Sequence, residues 1–444
     1  MSMLLLSSRA SGPELLRDTD THVLLVKIAE RGAPLSWFGG DWPLENHFYR
    51  PVSTLFFELD AALYGSNPAG YGLTNALLAV AVIWASFWLL REVTSVPWVS
   101  GASVALLGMW MLGTGVPEAL AVAARWLGFL VWLGLLRGGL GKFRPVALAS
   151  GGLFFLAWAL PAVAPLGGRI LAWLPGRTAS VMTVFALLGL AAMARWVRQS
   201  SPALPDLPPD SLAIPATKGT EPATRDVKNP WVWWVVAGAC FLLALGSYEQ
   251  AVVLPGLVAV LIAVAAIRRK RAGWGWLGLS FGTVALYAAV RFTVVPSAPS
   301  GYHLQQFRTG PGVVLSFSDY SLPGVSSLFG FSAFLGAGAS VLFIPDFWAR
   351  IGLVFGTIAI AILLLGRPGK PYGVWPWLAA LVAYLPMAWL KYFEHYHLLP
   401  AVFRAWAVVM IGEVVLRAAA TAIAPQGLVA PRRSRPAPGS LPHP

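Results

Sequence analysis

For most of its length the chain alternates long apolar runs with short polar breaks. It shows neither the period-two pattern of strands nor the one-sided stripe of a soluble helix. About 20 consecutive apolar residues suffice for a helix to cross a bilayer core. Such runs predict spans at 72–91, 97–114, 119–136, 145–164, 178–196, 231–247, 250–267, 274–294, 347–366, 374–390 and 398–420. Each has to be helical, because lipid offers no partner for a backbone N–H or C=O. A further apolar stretch, 323–344, is rich in Gly and Ser and contains Pro323, and is read as re-entrant or interfacial. The predicted fold class is all-α: a polytopic transmembrane bundle of about 11 spans whose outer loops form the site.

The polar breaks divide the chain. Residues 1–70 are read as an extracytoplasmic loop with amphipathic helices, and 71–198 as the first part of the bundle. Residues 199–229 form a Pro-rich cytoplasmic linker with Pro202, Pro205, Pro208, Pro209 and Pro215. The second part of the bundle runs over 230–424, and 425–444 is a disordered cytoplasmic tail carrying Arg432, Arg433 and Arg435.

Composition agrees with this pattern. Charged residues make up 11% of the chain, against about 25% in a soluble domain. That excludes a soluble enzyme and a disordered chain, and the lone Cys240 excludes a disulfide scaffold. The 32 basic and 19 acidic residues leave a net charge of +13. No basic face with interleaved aromatics occurs outside the spans, so the excess does not point to nucleic acid. It marks cytoplasmic loops instead. Arg137, Lys142 and Arg144, then Arg195 and Arg198, then the run Arg268 to Arg271 lie inside on a self-consistent count. That count puts the first 70 residues outside, and if 323–344 does not cross, the basic tail falls inside. The segment from Met1 to Ala10 is too short to deliver the first loop across the membrane. The expectation is an additional apolar helix upstream of Met1.

Polar groups kept in so apolar a chain carry information, because charge near a bilayer is costly. On this topology they gather on the outer side: Asp18, Asp20, His22, Asp41, Glu45, His47, Tyr49 and Arg50 first. Later outer segments add Arg169, Arg177, Tyr248, Glu249, Arg291, Tyr302, His303 and Arg308, and the last adds Lys391, Glu394, His395, Tyr396 and His397. Carboxylates, arginines and histidines above a helical bundle suit an anionic, lipid-linked substrate and a general base.

Four strings give this reading a family. HFYRPVSTLFFELDAALYGSNPAGYGLTNALL, from His47, resembles the segment after the first luminal loop of GT-C glycosyltransferases. In particular it resembles the pattern of the transmembrane and tetratricopeptide-repeat O-mannosyltransferases and their bacterial relatives, with Val52 for a Leu and Gly72 for a His. AWLPGRTASVMTVFALLGLAA from Ala172 is similar to the family's Ala-Trp-Ile-x-Gly-Arg-Thr string. LGSYEQAVVLP at 245–255 resembles Leu-x-Ser-Lys-Glu-x-Ala-x-x-x-Pro, with Tyr248 for the Lys. FEHYHLLPAV from Phe393 resembles Glu-Arg-Tyr-Leu-Tyr-Leu-Pro-Ser, with His395 and His397 substituted. The order is the family's and the strings cover about residues 18–405. Three departures stand beside them. Asp18-Thr19-Asp20 replaces an Asp-Asp pair, Arg169 lies near the place of a Glu, and no repeat domain follows the last span.

The resemblance implies a GT-C-like bundle that moves a sugar, with inversion, from a polyprenyl phosphate to an acceptor hydroxyl on a protein, lipid or glycan. Asp20 matches the second acid of the family's pair and is the expected base, with Asp18 next. The alternative is that both are solvated loop acids ahead of an amphipathic helix. Arg50, Arg177 and Arg291 are expected near the leaving phosphate, since a guanidinium fork meets two phosphate oxygens. For Arg50 the alternative is a structural pair with an acid such as Glu58. Tyr49, Tyr302 and Tyr396 complete the expected substrate-binding set. Glu249 either orients the site or caps the following helix. Glu394, His395 and His397 could bind a divalent metal. Readings from other classes are a transporter or flippase for a lipid-linked sugar and a non-catalytic subunit of polysaccharide assembly.

Overall fold

The computed structural model describes residues 1–94, 96–113, 166–200, 231–267, 273–308, 310–321, 374–391 and 394–423. The expected spans 119–136, 145–164 and 347–366, the stretch 323–344, the basic loops at 137–144 and 268–271, nearly all of the linker and the tail lie outside the described residues. Within them the chain is all-helical, and the only strand-like feature is a single antiparallel bridge between Phe307 and Leu390.

The first 64 residues build four short helices: α1 (Ser2–Ser7), α2 (Glu14–Arg17), α3 (Thr19–Arg31) and α4 (Pro51–Tyr64). Helix α3 starts where the Asp18 carboxylate accepts from the Thr21 amide (3.2 Å) and stops at Gly32, whose φ of 58° suits a residue without a Cβ. Its apolar positions Leu24 and Ile28 pack with Leu15, Trp37, Trp42, Phe57 and Tyr71 in a satellite core.

Longer helices follow: α5 (Pro68–Val93), α6 (Pro97–Met111), α7 (Leu166–Ala172), α8 (Arg177–Ser200), α9 (Trp231–Leu245), α10 (Leu254–Ile267) and α11 (Gly275–Val294). Short α12 (Gly301–Gln306) and α13 (Pro311–Ser321) precede α14 (Val374–Tyr384) and α15 (Leu398–Ile423). Proline sets several starts, since its missing N–H is not needed in a first turn: Pro51, Pro68 and Pro97 open α4, α5 and α6. The run read as 250–267 is split, with a 3₁₀ turn at Glu249–Val253 before α10. The run read as 374–390 likewise ends in a 3₁₀ turn at Leu385–Trp389, where Pro386 interrupts the helical bonding.

Four helical stretches are long and apolar enough to cross a membrane: Pro68–Val93, Arg177–Ser200, Glu249–Ala266 and Gly275–Val294. Helix α8 is the central one. Val181, Met182, Ala186, Leu187, Leu190 and Ala191 are all buried, and α8 packs between α5 and α9. Gly189 allows the close approach to α9, because a Cβ there would lie 2.5 Å from the Phe241 ring. Helix α11 is peripheral: only 17% of its apolar window is buried, and Phe281, Leu286 and Phe292 point outward. An apolar outer face around a packed interior is what lipid solvation requires.

Paired contacts at both ends make α5 and α8 parallel. Near their starts, Arg177 Nε donates to Asn75 Oδ1 (2.8 Å). Near their ends, Arg195 and Arg198 meet Glu92 at 2.9 and 3.3 Å. The two contacts are about 17 residues apart, or roughly 26 Å along a helix axis. That is close to a hydrocarbon core of about 30 Å. Beside the basic end, Trp234 stacks on Trp276 with ring centres 4.0 Å apart, and Trp196 closes on both.

Candidate functional site

The other end of the bundle holds the polar residues singled out in the sequence. Arg50 ends the first loop just before α4, and its Nε lies 2.8 Å from Glu249 Oε2. The other Glu249 oxygen accepts from the Tyr49 amide (3.0 Å). Three rings surround the guanidinium: Phe48 at 4.0 Å, Tyr248 at 4.4 Å and Trp42 at 5.4 Å. Burial lowers the Arg50 pKa, but Glu249 and the hydroxyl of Tyr248 raise it more, so the group stays charged. Glu58, the acid near in sequence, accepts from Trp37 Nε1 instead. Glu249 therefore orients Arg50 and Tyr49, in addition to starting the 3₁₀ turn ahead of α10.

Backbone bonds hold this pair in place. The Val52 amide donates to the Gly246 carbonyl (2.9 Å) and Ser53 Oγ to the Ser247 carbonyl (2.9 Å), docking α4 on the end of α9. Asp41 gathers the preceding loop by accepting from the amides of Trp42 (2.7 Å) and His47 (2.9 Å). His47 has φ of 63°, and its ring Nδ1 lies 2.8 Å from the Ala298 carbonyl. Arg291 donates from Nη2 to the His47 carbonyl (3.1 Å), and Tyr287 donates to the Tyr49 carbonyl (3.3 Å). Arg291 thus belongs to the frame around Tyr49 and Arg50.

The acids of the first loop reach the same end by another route. Asp18 Oδ2, besides capping α3, accepts from Trp173 Nε1 (3.0 Å). The Trp173 ring lies 4.9 Å from that of His395, and the Arg169 guanidinium lies 4.9 Å from the Trp173 ring. His395 in turn lies 6.4 Å from Tyr248 and 4.3 Å from Tyr396. Burial, and then the charges of Arg50, Arg169 and His397, hold its imidazole well below the usual range, so it is neutral. Asp20 sits at the exposed first turn of α3. Water withdrawn by the surrounding protein, and then the charge of Asp18, raise its carboxyl above the ordinary value, while Arg169 acts in the opposite direction. The two acids therefore differ in setting: Asp18 is held by a cap and an indole, whereas the Asp20 carboxyl is raised by burial and by the charge beside it.

Tyr396 is bonded to Tyr248 and Tyr302, and burial raises its phenol above the usual range. Tyr302 also meets Phe48 edge-on at 6.1 Å. Gln250 Nε2 donates to the carbonyls of Tyr396 and Ala383 (both 3.1 Å), tying the 3₁₀ turn Glu394–His397 to α14. His397 faces a different set of rings, Tyr384 at 5.3 Å and Tyr320 at 5.9 Å. Burial, and then Arg404 and Arg308, push its imidazole down to about 3. The side chain of Glu394 lies outside the described residues. Among those described, no three His, Cys, Asp or Glu side chains form a group able to hold a metal ion.

Arg177 is not part of this cluster. It is fully enclosed, with Nη1 lying 2.6 Å from Asp60 Oδ2, Nε donating to Asn75 and Nη2 to the Tyr71 carbonyl (3.0 Å). Asp60 also accepts from Thr74 Oγ1 (2.7 Å), so this ion pair is the knot between α4, α5 and α8. The expectation that Arg177 faces a leaving phosphate gives way to a structural role, since its donors are spent on protein.

Sequence reading passed over Trp173 and Arg404. Trp173 stood inside a quoted string, yet nothing local shows that it joins Asp18 to His395. Arg404, buried in the second turn of α15, carried the usual signal of a charge within an apolar run.

All four strings meet. The first touches the third through Arg50 and Glu249, the second touches the first through Arg177 and Asn75, the third touches the fourth through Gln250 and the Tyr396 carbonyl, and the fourth touches the second through His395 and Trp173. Comparison of the chain with models of protein families, with curated proteins and with solved structures returned no match.

Proposed function

We propose that this chain is an integral membrane glycosyltransferase of the GT-C type. It moves a sugar, with inversion, from a polyprenyl-phosphate donor to an acceptor hydroxyl. The bundle has eleven spans in the cell membrane, and the site lies at its extracytoplasmic face. The observation that supports this reading is the meeting of the four strings, which brings Asp18 and Asp20 toward the arginines Arg169 and Arg50 through Trp173, His395 and Tyr248.

The chemistry divides among these groups. Asp20 takes the proton of the acceptor hydroxyl, and a raised carboxyl pKa makes it a stronger base than an ordinary carboxylate. The acceptor oxygen forms a bond to the anomeric carbon as the bond from that carbon to the phosphate oxygen breaks, and the lipid phosphate leaves as an anion. Arg169 and Arg50 stabilise the charge gathering on it, in a setting already ordered before the reaction. Asp18 positions Trp173, and with it the wall of the site. Tyr302, Tyr396 and neutral His395 offer hydrogen bonds to sugar hydroxyls.

Asp20→Asn should lower transfer at least about 100-fold, the usual contribution of a general base, while leaving folding intact. Asp18→Asn should be milder. The rate of the parent enzyme should fall on the acid side with an apparent pKa above that of a free Asp, because Asp20 must be ionised to act. The measurement is transfer in proteoliposomes with a panel of polyprenyl-phosphate sugars. Full activity of Asp20→Asn would exclude it as the base. Movement of the lipid-linked sugar across the bilayer with no product formed would replace transfer by transport.

A further inference from the structure

Helix α4 is inside out by the standard of a helix in water. Its polar residues Ser53, Thr54 and Asp60 are buried, whereas Leu59 is 54% and Leu63 62% exposed. Each buried polar group is spent on the protein. Ser53 Oγ donates to the Ser247 carbonyl and Thr54 Oγ1 to the Arg50 carbonyl (3.0 Å), and Asp60 takes Arg177 and Thr74. Glu58, the other acid of the helix, accepts from Trp37 Nε1. Leu55, Leu59, Ala62 and Leu63 follow at helical spacing along the opposite side, and none of them is buried. A helix in water turns its apolar stripe to the core and its polar residues to solvent. The reverse arrangement belongs where the solvent is apolar and the polar groups face the bundle.

The level of α4 in the bundle identifies that solvent. Asp60 accepts from Thr74, the seventh residue of α5, about 9 Å along that helix from its start. Helix α5 has 26 residues. At about 39 Å long and centred, it overhangs a hydrocarbon core of about 30 Å by about 4–5 Å at each end. The second half of α4 is therefore level with acyl chains, just inside their boundary. Leu77 stands one turn beyond Thr74 on the same side of α5 and is exposed, and Trp84 continues that stripe. The outward leucines of α4 thus extend the lipid-facing surface of a spanning helix. At 14 residues, or about 21 Å, α4 is too short to cross. Both its ends stay at the site end of the bundle, Arg50 beside Glu249 and Gly65 in the turn before α5. The 3₁₀ turn Pro34–Gly39, joined to α4 through Trp37 and Glu58, also exposes Leu35 and Phe38.

We infer that α4 is a lipid-binding helix. It lies along the membrane surface at the site end of the bundle, with Leu59 and Leu63 among the acyl chains of that leaflet and its polar side on the bundle. Arg50 immediately precedes its first turn, so the Arg50–Glu249 pair is held at the boundary between lipid and water. This goes beyond the proposed transfer chemistry and does not depend on it.

The test places a nitroxide at Leu59→Cys or Leu63→Cys in the full chain, with Cys240→Ser, in nanodiscs of zwitterionic lipid. Collision with oxygen, which concentrates in hydrocarbon, is compared with collision with a water-soluble nickel chelate. Leu77→Cys serves as the reference for the outward face of α5 and Ser66→Cys for the exposed turn before it. Both α4 labels should collide several-fold more often with oxygen than with the chelate, as Leu77→Cys should, while Ser66→Cys shows the opposite order. Preference for the chelate at Leu59 or Leu63 puts α4 in water and overturns the inference. Low collision with both probes overturns it too, because another part of the chain or a second copy then covers the face. Both positions are exposed, so the labelled chains should unfold at the temperature of the parent, and a label tolerated at either one decides. Failure to transfer any sugar would remove the proposed function and leave this reading of α4 standing.

Discussion

Arg50 and Arg177 were both expected to face a phosphate, and their surroundings separate them. Arg177 is enclosed by Asp60, Asn75 and a carbonyl, and its removal would leave Asp60 as an uncompensated buried charge. Arg50 is 10% exposed and its partner Glu249 is 25% exposed, so the pair keeps an open edge that a ligand can reach. Glu249→Ala should therefore destabilise the protein by about 2 kcal/mol, less than the roughly 3–5 kcal/mol of a fully buried pair. Arg50→Lys should fold and transfer poorly, because the ammonium cannot bond to Glu249 and to a phosphate in one plane. Thermal unfolding and transfer assays of the two variants check both. A wild-type rate in Arg50→Lys would remove Arg50 from the site. That Arg50 matters was legible in the sequence from its place after Tyr49 in an outer segment. Its partner was not, because Glu249 lies 199 residues away and Glu58 was the nearer acid.

At the scale of elements, apolar run length located the long helices among the described residues, while their internal breaks depended on tertiary bonds. Pro255 and Pro386 sit where runs were read as continuous spans, and 3₁₀ turns stand at both places. Gly72 illustrates the same limit. In the strings it stands where the resembling family has His, and the sequence gives no reason for the change. The structure does: a Cβ at Gly72 would lie 1.6 Å from the Ala10 carbonyl, because the segment after α1 crosses α5 there. Backbone cannot yield as a flexible side chain can. Gly72→Ala should therefore detach the first segment from α5 and destabilise the fold by about 2 kcal/mol, within the range for overpacked sites. A Leu5→Cys probe reads this directly, since Leu5 is fully buried in the main core. A membrane-permeant thiol reagent should label it slowly in the parent background and readily beside Gly72→Ala. Equal labelling in both would show that the segment adapts without leaving its groove.

At the scale of the molecule, the two ends of the bundle differ in chemistry, and that difference sets an orientation. One end gathers Asp18, Asp20, Arg50, Arg169, Glu249 and the rings around them. The other joins Glu92 to Arg195 and Arg198 beside a stacked Trp pair that Trp196 meets edge-on, and the sequence adds the run Arg268 to Arg271 after α10. Basic loops remain on the cytoplasmic side, so the second end should be inside and the acid-bearing end outside. The parallel course of α5 and α8 requires an odd number of crossings between them, which the three spans read at 97–114, 119–136 and 145–164 would supply. With the native Cys240 replaced, Ser66→Cys in the exposed turn before α5 should react with an impermeant maleimide added to intact cells. Ala272→Cys, next to the basic run, should react only after the membrane is opened. Labelling of both from outside would break the assignment of the ends and, with it, the placement of the proposed donor on the outer face.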